Sequence, residues 1–245
     1  MLTGYVTTLN LLAFFFHLTL AVVCGVVGDV GKSFPLYLAF TTFNSTEAGN
    51  VDASISFVGE FPLTIIFVTY FAVTAFFHFG SVFIWNDTYF YNLEEKRNPF
   101  RWIEYSITAP LMTSILAFIV GSRNFILIIA ACIISFTTIG FGPILERTRD
   151  PFFILYGLIP FLAEFALLIV SLYVSTTCFP TWVPITLFVE FVLWSLFPLA
   201  AVYQLYGDYE MGELMFIILS FLAKSVLAII LLSFNVLNQG ILGAC

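Results

Sequence analysis

Lys224 lies in a stretch, residues 216–230, that carries no other charge and is almost wholly apolar. A cation in such a setting is costly and usually marks function. It stands too far from either end of the stretch for its amine to snorkel to a membrane surface. Two roles suit an amine placed this way. It can pair with a carboxylate and join two helices, or it can act, desolvated, as a nucleophile toward an aldehyde and form a Schiff base. A protonated Schiff base needs a carboxylate beside it, and Glu104 is the best-placed acid. Arg101, Glu104, Thr108 and Met112 recur at spacings of three or four, so they share one helix face. Glu190, Trp194 and Phe197 share another, just before Pro198, and Ser220 stands one turn before Lys224.

The elements that must carry these residues follow from composition. The chain has 245 residues, 61% hydrophobic and 9% charged, with a mean hydropathy of +1.05. Soluble domains carry about 25% charged residues, so a soluble enzyme is excluded, as is a disordered chain. The expected fold is all-α, a bundle of seven transmembrane helices forming a single domain over residues 1–245. The spans are 5–27, 61–85, 100–120, 125–145, 152–176, 183–206 and 212–236, each near the ~20 residues that cross a bilayer. The runs are continuous, which argues against a transmembrane barrel with its alternating strands. The first run lacks a basic leader and a clear cleavage site, so it is read as a span. Short connections imply that successive helices are antiparallel neighbours. The one long loop, 28–60, holds two runs rich in aromatic and β-branched residues, 34–43 and 51–57, around a turn at 44–50. A small β-hairpin over one end of the bundle is expected there.

Lys96, Arg97, Arg101, Arg147 and Arg149 fall on the side of the N-terminus, against Lys32 and Arg123 on the other. The positive-inside rule then puts the N-terminus in the cytoplasm and the hairpin and C-terminus outside. Of two glycosylation sequons, Asn44-Ser-Thr faces out and Asn86-Asp-Thr faces in, where it stays bare. The net charge of −7 argues against nucleic acid as a partner. Cys24, Cys132, Cys178 and Cys245 show no metal-binding spacing, so no metal is expected. HExxH, GxSxG and paired aspartates are missing, which argues against an intramembrane enzyme.

Together these arrays resemble the microbial rhodopsins, and more closely the heliorhodopsins. The string Arg101-Trp-Ile-Glu104-Tyr105-Ser, a glutamate in place of aspartate as counterion, and Ser220 in place of a second aspartate carry the resemblance. It extends over all seven spans and the long first loop. It implies all-trans retinal bound to Lys224 as a protonated Schiff base, with Glu104 as counterion and Ser220 nearby. Tyr105, Thr108, Met112, Trp194, Phe197 and Pro198 would line the chromophore. His17 and His78 look like the family's paired intramembrane histidines, in a polar cluster on the cytoplasmic side; each also suits a plain helix–helix hydrogen bond. Glu146 and Glu213 fall where the family places acidic residues, and a homodimer in the lipid bilayer is implied.

Most heliorhodopsins are photoreceptors that move no ions, whereas some viral members conduct protons. This chain adds Glu190 and Glu164 inside the membrane. Glu190 is expected on the chromophore-facing stripe, toward the outer side of Trp194, and Glu104 on the inner side of Lys224. Two carboxylates would then bracket the Schiff base, as a proton path requires. The expected function is a light-absorbing retinal protein with light-gated proton conduction through Glu104 and Glu190, joined by His17, His78, Arg101 and Glu213. The alternative is a light sensor that signals by shape change and moves no ions. In a blander role Glu190 is merely hydrogen-bonded within the bundle, and Glu164 has no assigned facing.

Overall fold

Seven long helices cross the molecule in alternating directions. The computed structural model describes residues 2–43, 51–175 and 179–239. The spans are α1 (Leu2–Val27), α2 (Leu63–Phe79), α4 (Pro99–Ile119), α5 (Phe125–Thr148), α6 (Phe152–Ser175), α7 (Trp182–Tyr206) and α8 (Tyr209–Ser233), with a short α3 (Asn86–Glu94) and α9 (Val236–Gln239). Helix is the form that satisfies every backbone group within one apolar segment in lipid. Each helix packs on the next, and α1 returns to α8, so the spans close into a ring. The chain is an integral, multi-pass membrane protein whose helices meet the lipid bilayer.

Two helices are far more enclosed than the rest. About 67% of the apolar window of α4 and 61% of that of α8 are buried, against 44% in α2, 28% in α1 and 22% in α5, α6 and α7. Those two carry Glu104 and Lys224. Their starts are fixed by side-chain caps: Asn98 accepts from the Arg101 N–H (3.1 Å) with Pro99 at the first helical position, and Asp208 accepts from the Met211 N–H (2.8 Å). The Asp208 cap explains why the last span begins at Tyr209 and not at 212, the point suggested by hydropathy alone.

The connection after α2 departs from expectation. The second span ends in a π-helical turn, Gly80–Ile84, and the Trp85 ring folds back onto Gly80. A Cβ there would meet the indole at 1.9 Å, so only glycine admits the fold-back. The following α3 was expected as loop; it has no apolar run, and is held by Tyr89 and Leu93 packed beneath it. Glu146 and Arg147, expected in a turn, lie in the last turns of α5, which continues to Thr148 and stops where Arg149 turns left-handed (φ 58°).

The hairpin forms as expected, from β1 (Phe34–Phe43) and β2 (Val51–Phe61), antiparallel, with a register shift at Leu36/Tyr37. It is fastened to the α4–α5 turn. Phe34 and Phe61 pack on Phe118 (4.8 and 5.1 Å), and the Tyr37 N–H donates to the Arg123 carbonyl (2.8 Å). The turn at 44–50 with the Asn44 sequon, and Cys178 and Cys245, lie outside the described residues.

Candidate functional site

Lys224 and Glu104 meet at the centre of the bundle. Lys224 Nζ donates to Glu104 Oε1 at 2.5 Å, and each side chain is only 6% exposed. Two charges out of water cost several kcal/mol each, and close geometry is what offsets this. The amine also faces two rings, Tyr105 at 5.5 Å and Tyr70 at 5.7 Å. Tyr70 is fully buried, and its hydroxyl donates to the Met112 sulfur (3.1 Å). Sequence inspection missed Tyr70, because an aromatic on an otherwise apolar helix carries no signal of what it faces.

Lys224 opens onto a cavity of about 160 Å³. From α4 it is lined by Tyr105, Thr108 and Met112, from α7 by Trp194, Phe197 and Pro198, and from α8 by Ser220 and Lys224. All eight were singled out from spacing or resemblance, and the fold brings them together. The far wall comes from α5 and α6. Trp102 fills one side because Gly142 leaves room: a Cβ at 142 would lie 2.1 Å from the indole. A slot of largely aromatic walls that carries the Lys224 amine suits a flat apolar molecule with one reactive polar terminus.

Glu190 is placed differently from expectation. It is fully buried but does not line this cavity. One turn on, Trp194 takes the cavity side, and its indole N–H donates to Glu190 Oε2 (3.1 Å). Glu190 Oε1 has no hydrogen-bond partner among the described residues. Glu164, whose facing sequence left open, reaches the cavity wall.

His17 and His78 are brought together, rings stacked at 5.7 Å. The His78 Nδ1–H donates to Asn10 Oδ1 (2.7 Å). Both His17 nitrogens lack a hydrogen-bond partner among the described residues.

Nearer the N-terminal face, Arg101 is caged. It donates to Glu213 Oε2 (2.6 Å) and Gln204 Oε1 (2.9 Å), and pairs with Glu146. Its guanidinium lies 3.8 Å over the Phe216 ring. Glu213 also accepts from Asn98 Nδ2 (2.8 Å) and the Tyr89 hydroxyl (3.1 Å), and Glu146 from the Tyr209 hydroxyl (2.8 Å). Burial, then the neighbouring Glu213 charge, pushes the Tyr89 hydroxyl well above the usual tyrosine range, so it stays a donor. The acids and arginine were foreseen. Asn98, Gln204, Tyr89 and Tyr209 were not, since polar residues near helix ends more often face water.

The heliorhodopsin family model matches residues 6–235. The chain belongs to the heliorhodopsin family. Among solved structures the heliorhodopsin chain is similar to the viral rhodopsin OLPVRII, with 14% identity, 94% of this chain and 97% of that one covered, and a TM-score of 0.68. A cyanorhodopsin from the cyanobacterium Tolypothrix gives 13% identity, 98% coverage of both chains and a TM-score of 0.66. The transmembrane domain of a rhodopsin phosphodiesterase from Salpingoeca rosetta gives 14%, 96% and 84% coverage, and 0.66. At such identities the likeness is one of fold. No curated protein matches the chain in sequence. Family and fold together make this heliorhodopsin a retinal photoreceptor.

Proposed function

We propose that all-trans retinal is held on Lys224 as a protonated Schiff base with Glu104 as its counterion, and that light opens a path for protons through Glu104 and Glu190. The observation that carries this reading is the buried Lys224–Glu104 pair at 2.5 Å, whose lysine opens onto a cavity with largely aromatic walls. The residues fit the group: an amine for the aldehyde, an acid for the resulting cation, and Ser220, Tyr105, Thr108, Met112, Trp194, Phe197 and Pro198 around the polyene. Bound there, retinal supplies light absorption and a light-driven change of shape.

The chain's own groups do the rest. Glu104 accepts a proton on the side of the caged Arg101. On that same side, His17, His78 and Glu213 extend the series of proton-holding groups. Glu190, fully buried with one oxygen unpartnered among the described residues, holds a proton on the far side of Trp194. Its hydrogen bond to Trp194, which lines the cavity, supports a second proton-holding group close to the chromophore site. The N-terminus is assigned to the cytoplasm. Lys96, Arg97, Arg147 and Arg149 gather at that end, where an Arg149 guanidinium N–H donates to the Lys96 carbonyl (3.4 Å).

Photocurrents under voltage clamp test the path. The parent passes a light-induced current whose direction follows the proton gradient, and Glu190→Gln loses most of it. Equal currents in both contradict the role of Glu190. A parent that cycles without current selects the sensor that moves no ions.

A further inference from the structure

One buried acid on the cavity wall has no part in that path. Glu164 of α6 is 1% exposed and lines the same cavity as Lys224. Its Oε1 accepts from Thr113 Oγ1 of α4 (2.5 Å), and the Ser135 side chain of α5 also hydrogen-bonds to its carboxyl. Oε2 has no hydrogen-bond partner among the described residues. The buried cations nearby are committed elsewhere, Lys224 to Glu104 and Arg101 to Glu146 and Glu213.

Thr113 Oγ1 also lies 3.0 Å from the Ala109 carbonyl. A hydroxyl has one proton, and a carbonyl can only accept. Glu164 and the Ala109 carbonyl therefore share one donor. Oε2 is left without a hydrogen-bond partner among the described residues, on a wall that is mostly apolar.

In the ring of helices α7 stands between α8 and α6, so Lys224 and Glu164 enter the cavity from helices that are not neighbours. Resting on the reading that retinal is tethered to Lys224, we infer that Glu164, braced by Thr113, is the polar contact for the end of the chromophore remote from the lysine, and that it sets the pigment's colour. Excitation of a protonated polyene imine moves positive charge from the nitrogen toward the remote end. A negative partial charge at that end stabilises the excited state more than the ground state and lowers the excitation energy. A carboxylate beside the nitrogen does the opposite. Glu104 and Glu164 are both buried, so neither effect is screened as it would be in water.

The test is the visible spectrum of purified protein reconstituted with all-trans retinal, for the parent, Glu164→Leu, Glu164→Gln and Glu104→Gln. Glu164→Leu absorbs at shorter wavelength than the parent. Glu104→Gln, read at a pH where the imine stays protonated, absorbs at longer wavelength and fixes the sign. With a retinal analogue that lacks the ring, parent and Glu164→Leu coincide, because the remote end no longer reaches the acid. A Glu164→Leu pigment at the parent's wavelength or beyond overturns the inference, as does a difference that persists with the shortened analogue. Should Glu164→Leu not fold, light-minus-dark infrared spectra decide. A carboxylic C=O band seen in the parent and lost in Glu164→Gln supports the contact, and its absence from the parent overturns it. A colourless parent contradicts the retinal reading itself, whereas a coloured parent with Glu164→Leu unmoved contradicts only the assignment to Glu164.

Discussion

Replacing Arg101 by methionine removes one cation and strands two acids. Arg101, Glu146 and Glu213 have side chains 3%, 8% and 3% exposed, so none of the three relies on water. Breaking a buried ion pair by deleting one partner costs about 3–5 kcal/mol, because the remaining charge stays buried and unpaired. Here two carboxylates face each other after the change, which puts the cost at the upper end. For a chain of this size each kcal/mol lowers the melting temperature by roughly 2–4 °C, so the loss is about 10–20 °C. The assay is thermal unfolding of the purified protein in detergent, followed by tryptophan fluorescence. The triple variant Arg101→Met, Glu146→Gln, Glu213→Gln separates charge from packing. It leaves no bare charge and recovers most of the loss, since neutral groups of similar volume often replace a buried ionic cluster without penalty. A fall of less than about 2 °C in the single variant, or a triple variant as unstable as the single one, refutes the account of the cluster.

Three further substitutions probe the frame around the lysine. Gly142→Val drives a side chain into the Trp102 indole, 2.1 Å from where its Cβ would stand; about 1–3 kcal/mol of stability is lost, and pigment yield falls as the displaced ring enters the cavity. Asn98→Ala removes both the cap of α4 (3.1 Å) and a donor to Glu213 (2.8 Å), lowering stability by about 1–2 kcal/mol in the same melting assay. Tyr70→Phe deletes the hydroxyl that donates to Met112; it costs about 1 kcal/mol and leaves pigment formation intact, and loss of pigment would show that Tyr70 does more than pack.

Much of the architecture could be read from hydropathy, because in lipid a continuous apolar run has few alternatives to helix. The spans followed from run length, the hairpin from two runs rich in aromatic and β-branched residues around a turn, and the residues around Lys224 from three-or-four spacing together with the resemblance to the heliorhodopsins. What sequence could not supply were features set by tertiary contact. The π turn at Gly80–Ile84 exists because Trp85 folds onto a glycine, and α3 because Tyr89 and Leu93 find a surface beneath it. The facing of Glu164 needed α4, since its partner Thr113 is 51 residues away in sequence. Glu190 was expected on the chromophore-facing stripe one turn from Trp194; it does stand one turn from Trp194 and accepts its indole N–H, but it does not line the cavity, because helical spacing fixes direction and not depth of reach.

The central claim is that one buried amine carries the chromophore. Purified protein mixed with all-trans retinal, with Lys224→Ala beside it and folding checked by gel filtration, tests this most directly. The parent takes on visible colour and the variant, folded, stays colourless. A parent that remains colourless with retinal in excess, or a Lys224→Ala protein that colours equally, contradicts it.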